Sequence, residues 1–142
     1  MLHRLNNWIL SLKTYRFLSP DVRIRRQINQ LLRDRPSLSA HEWFETLCKP
    51  KGIHYAVAQF CYTYFQSYSG LEFSRVLLSD RLDEDLRWTQ VCWFDWEMKL
   101  CNDFWQQFGI DLCDRLPGRS LSTVEELILL LNHSFLQHSS KH

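Results

Sequence analysis

Hydrophobic positions recur along this chain mostly at helical spacing. Over residues 2–17, Leu5, Trp8, Ile9 and Leu12 fall on one side of a short amphipathic helix. A second helix is predicted from about 20 to 33, with Val22, Ile24, Ile28, Leu31 and Leu32 apolar. Ser19 is placed to cap it, Pro20 suits a first helical position, and Asp21 favours the positive helix end. Pro36 ends it. A third start lies at Ser39-Ala-His-Glu42, where Ser39 and Glu42 can each satisfy the other's backbone donor, and the helix carries Trp43, Phe44 and Leu47.

From Ile53 to Tyr68 apolar residues occupy nearly every side, the mark of a buried helix closed by Ser69-Gly70. Residues 71–87 lack a clean period and read as an ordered loop with a short turn or two. A helix follows over 88–108, closed by Gly109; 114–121 is a loop, and Ser122-Thr-Val-Glu125 opens a last helix to about Gln137. With four glycines and four prolines in 142 residues, the turns of a sandwich or barrel are not provided for. The pattern predicts an all-α fold in one domain, with a basic helical extension over 1–50 and a bundle over 53–137.

The richest stretch is CWFDWEMKLCNDFW, residues 92–105. On a wheel of about 100° per residue, Phe94, Met98, Cys101, Trp105 and Phe108 fall in one narrow arc and are expected in the core. Cys92, Trp96 and Asp103 fall on the other side. Trp96 is either covered by the N-terminal helices or an aromatic anchor for a partner, since tryptophan is favoured at interface hot spots. Glu97, at the margin of the apolar arc, needs a cationic partner, for which Arg87 or an N-terminal arginine is the expectation.

Charge changes the picture. The net is only +1, yet residues 1–35 carry eight Lys/Arg against Asp21 and Asp34, while 72–126 carry twelve Asp/Glu against six Lys/Arg. Such an asymmetry is met within the fold, between two copies of the chain as a homodimer, or by separate partners. Arg23, Arg26 and Arg33 share a broad face, but without interleaved aromatics or a DNA-binding motif they point away from nucleic acid. The five cysteines are odd in number and form no C-x-x-C pair, which argues for reduced thiols in a cytoplasmic setting. No metal-ligand spacing, P-loop or dinucleotide fingerprint is present, so neither cofactor nor metal is expected. Arg4, Asn6, Asn7, Ser11 and Lys13 interrupt any signal-peptide core, and LILLLNHSFLQ is too short to span a bilayer.

The C-terminal part resembles the acyl carrier protein family over about 53–135. The likeness rests on the helix order, on Val76, Leu82 and Asp85-Leu86 in the loop, on Phe108-Gly109-Ile110-Asp111-Leu112, and on Thr123-Val124 followed by Leu127 and Ile128. That resemblance implies a carrier-like bundle, as in uncharacterised bacterial members of the group, and a phosphopantetheine serine at the start of the second helix. Counting from Asp85-Leu86 puts that serine at Gln90, and counting back from Phe108 puts it at Phe94. No serine occurs between Ser79 and Ser120, so the oxygen needed for the phosphodiester is missing. The expectation is a non-enzymatic protein-interaction module (an adaptor, assembly or regulatory factor) using Trp96, Cys92, Asp103, Arg23, Arg26 and Arg33. The alternatives are a small apolar ligand, a lipid or pigment, within the aromatic core, or nucleic-acid or membrane-surface contact through the basic helices.

Overall fold

The computed structural model describes residues 19–116 and 120–140, so the predicted helix at 2–17 lies outside the described residues. The fold is all-α: helices α1 (Val22–Leu32), α2 (Ala40–Trp43), α3 (Tyr55–Ser69), α4 (Trp88–Val91), α5 (Trp96–Phe108) and α6 (Val124–Ser140). Among the described residues the β-type pairing is one isolated antiparallel bridge, Arg81 to Thr123.

α1 starts one turn-signal later than Ser19 suggested. The Asp21 carboxylate accepts from the Arg23 and Ile24 amides at 3.0 and 3.2 Å, satisfying donors the helix leaves open. Ile28 and Leu32 are buried, but Val22 and Leu31, read as part of the same stripe, are exposed. The inner face is completed by polar clamps instead. Arg25 Nε donates to the Val91 carbonyl at 2.7 Å, and Asn29 brackets the turn after α3 by donating to Gly70 O and accepting from the Glu72 amide. The Arg25 guanidinium lies 2.9 Å from where a Cβ on Gly70 would stand, and Gly70 has φ +69, so the position needs glycine twice over.

Ser39 and Glu42 form both bonds of the expected capping box. α2 then widens into a π-turn, Phe44–Cys48, and tightens into a 3-10 turn, Lys49–Lys51, before reversing at Gly52. Trp43 is fully buried, with its indole N–H donating to the Val76 carbonyl at 3.0 Å.

α3 forms the centre, burying Val57, Ala58, Phe60, Cys61, Phe65 and Tyr68. Its start is tied to the far end of the chain. Asn132 of α6, buried, accepts from the His54 amide at 2.9 Å and donates to the Gly52 carbonyl at 3.0 Å. The loop 71–87 is pinned to the start of α6 by main-chain bonds, Leu82 to Ser122, Val124 to Asp80 and Glu125 to Leu78. The buried Asp80 carboxylate fixes its middle, taking both Arg35 nitrogens at 2.7 and 3.0 Å and the Leu77 amide at 2.8 Å. This ion pair joins the basic N-terminal third to the acidic half, so part of the charge asymmetry is met within the fold. The cap of α6 is one residue on from the expected pair: Thr123 Oγ1 accepts from the Glu126 amide, while the Glu126 carboxylate accepts from the Ser122 amide.

The predicted single helix over 88–108 is two. α4 ends at Val91, Cys92 is extended (φ −92, ψ 158), and the chain turns through Trp93, Phe94 and Asp95 before α5. Trp88 is drawn into the core against Phe65 and Phe73, with ring centroids at 5.9 and 6.5 Å.

Candidate functional site: an acid-rimmed aromatic groove

Because the chain turns at 92–95, the phase of α5 differs from that of one continuous helix. The residues that α5 buries are Leu100, Cys101 and Phe104, with Phe108 packed partly against the same core. Relative to the arc read from the sequence, the buried face is rotated by roughly a quarter turn. Phe94, Met98 and Trp105, expected inside, are instead 65%, 73% and 56% exposed. This is the largest correction the structure makes.

These three side chains border a surface groove of about 750 Å³, completed by Asp95, Glu97, Cys101, Asn102, Asp111 and Cys113. Among the described residues, three carboxylates and no cationic side chain line it. One Asp95 oxygen is shut off from solvent without a hydrogen-bond partner; the nearest cation, Lys99 Nζ, stands 4.0 Å away. Glu97 does not meet Arg87, whose Nε donates to the Gln90 side chain at 2.6 Å. Among the described residues the groove therefore combines an apolar surface with an acidic rim, of which Asp95 has Lys99 as a distant ion-pair partner.

The six residues singled out from the sequence do not converge. Cys92 is buried, not outward-facing, and burial pushes its thiol pKa up. It lies beneath α1, where the Asp21 amide bonds Gln90 O and Arg25 bonds Val91 O. Trp96 is half-buried and meets Trp88 edge-on at 5.8 Å, so it is largely a packing residue. Asp103 accepts the Tyr68 hydroxyl at 2.5 Å. Burial first, then this bond, raises the Tyr68 pKa. Trp96 and Asp103 share a hollow of about 240 Å³ with Tyr68, Trp93 and Lys99, on a different face of α5 from Met98. Arg23, Arg26 and Arg33 are exposed on the outer side of α1 and form no ion pair among the described residues. None of the six lines the groove.

Sequence reasoning missed the groove because it assigned its apolar wall to the core. One signal was available: Asp95 followed by Glu97 is the acidic pattern of a helix start, and a start at Trp96 resets the phase.

At the two positions where a carrier serine was sought, Gln90 sits in α4 and Phe94 in the bend before α5. Neither has a hydroxyl. Among the described residues, no three His, Cys, Asp or Glu stand together as metal ligands, and no helix is long and apolar enough to cross a membrane. Comparison with protein-family models, with curated proteins and with solved structures gives no match for this chain.

Proposed function

We propose that this chain is a non-enzymatic interaction module that receives a basic amphipathic helix of a partner protein in the groove beside α5. The observation that carries this reading is the exposure of Phe94, Met98 and Trp105 on one face beside Asp95, Glu97 and Asp111. A helix with apolar residues at i, i+3, i+4 and i+7 and lysine or arginine at its flanks matches that surface in shape and charge. The resemblance to carrier proteins supports the same reading, since partners of that family read the second helix, and α5 takes its place in the order of helices. On this reading the fold keeps the docking surface and has lost the pantetheine arm.

A fluorescein-labelled helical peptide of leucine and lysine, titrated into the protein and followed by anisotropy, tests the proposal. Saturable binding is expected, weakened at least about tenfold by Met98→Ala combined with Trp105→Ala and weakened again by salt. Equal binding of the same peptide with glutamate replacing lysine would refute it. In parallel, coenzyme A with a promiscuous pantetheinyl transferase should add no mass.

The groove volume also lies within the range of small-ligand pockets, about 300–1,000 Å³. This favours an apolar ligand in the groove over one inside the bundle. A bound lipid seen by native mass spectrometry, displacing the peptide, would establish it.

A further inference from the structure

Two of the five thiols stand together at this groove. Cys101 projects from α5 and is nearly buried, whereas Cys113 is exposed on the segment that returns after Gly109; both line the groove wall. The chain reverses at Gly109, with φ +69, and the Asp111 carboxylate accepts the Cys113 amide at 2.8 Å, which fixes a turn within the return segment. The two side chains share one stretch of the groove wall, and Cys113 is near enough to raise the Cys101 thiol. Cys48, Cys61 and Cys92 are all buried away from the groove, and none is in a disulfide.

We propose that Cys101 and Cys113 form a redox-active dithiol, which a hydroperoxide converts to an intramolecular disulfide across the groove wall. The exposed Cys113 sulfur, as thiolate, attacks the peroxide oxygen. The O–O bond breaks, the leaving oxygen departs with a proton as water (or alcohol), and Cys113 becomes a sulfenic acid. The Cys101 sulfur then attacks the Cys113 sulfur. The S–O bond breaks, the hydroxide leaves with the Cys101 proton as water, and the S–S bond forms. Two thiols are oxidised by two electrons and one peroxide is reduced, giving two waters from hydrogen peroxide.

The division of roles follows from position. Cys113 is the thiol that solvent reaches. Burial first, then the neighbouring Cys113, pushes the Cys101 thiol up to about 12, so Cys101 stays protonated and resolves rather than initiates. The bridge would tie Asp111 and Cys113 to α5 and set the width of the groove. That consequence for partner binding rests on the function proposed above; the dithiol chemistry does not.

Intact mass spectrometry of the reduced full chain, before and after a small excess of hydrogen peroxide, tests the proposal. The expected result is a loss of about 2 Da, a cross-linked peptide containing Cys101 and Cys113, and recovery of the original mass with dithiothreitol. Cys113→Ser, at an exposed position, should abolish the loss. Oxygen addition at Cys113 with Cys101 unmodified, a dimer linked through Cys113, or no change in mass would each overturn it. Peptide binding can fail while the mass change appears, so the two proposals fail separately.

Discussion

Met98→Ala and Phe104→Ala remove side chains six positions apart on α5, and the structure gives them opposite consequences. Phe104 is fully buried and packs edge-on against Phe60 at 5.3 Å and Phe108 at 4.9 Å. Truncating it removes the transfer term and leaves a cavity, a cost of about 3–5 kcal/mol. Met98 is 73% exposed, so about a quarter of its surface is withdrawn from water. Against about 1.5–3 kcal/mol for complete burial of such a side chain, its loss costs under about 0.8 kcal/mol. Alanine also favours the helix slightly over methionine, which lowers the cost further. Urea unfolding followed by tryptophan fluorescence measures both, since Trp43 and Trp88 are buried reporters in regions neither substitution touches. The midpoint should move little for Met98→Ala and far for Phe104→Ala, with m unchanged. A loss above about 2 kcal/mol for Met98→Ala would mean that methionine is a core residue after all. The groove, and the function built on it, would then fall together.

Two further outcomes follow from the same structure. Asp80→Ala strands Arg35 and the Leu77 amide; because Arg35 keeps 34% side-chain exposure, about 2–3 kcal/mol of lost stability is expected rather than the full cost of breaking a buried pair, and a double-mutant cycle with Arg35→Ala should show coupling above about 1 kcal/mol. Alkaline pH should destabilise the fold: burial raises Cys48 to about 12 and raises Cys92 and Tyr68 above their unfolded values of roughly 8.5 and 10, so their contribution is complete at neutral pH and is lost as pH climbs through the folded values. A urea midpoint that does not fall between neutral pH and pH ~10 would contradict that assignment.

Local signals written in a few residues were legible in the sequence. Ser39 with Glu42 names its helix start because both bonds lie within one turn, and Gly70 names the end of α3 because few other residues take its conformation. The all-α class followed from such signals and from periodicity. What the sequence did not disclose is phase. Residues 97–108 carry apolar side chains on two adjacent faces, so more than one arc satisfies the same period. Which arc turns inward goes with the break before α5 and with the edge-on packing of Phe104 against Phe60 on α3. That is a long-range contact, invisible to a wheel. The candidate site inherited the error: a rotation of roughly a quarter turn exchanged an expected core for a groove, and the break before α5 left Cys92, expected outward, buried beneath α1.

Asn132 bears on how the chain comes to be folded during synthesis. The groups it satisfies, the Gly52 carbonyl and the His54 amide, belong to the threshold of α3, some eighty positions earlier. While the ribosome is still adding α6, that threshold has no such acceptor and donor, and the inner side of α3 has no Leu127, Ile128 or Leu131 beside it. The central helix is thus made early and completed late. A chain growing from its N-terminus at about 5–20 residues per second passes several seconds with its central helix incompletely covered. α6, made after the other described helices, is the one that ends that exposure.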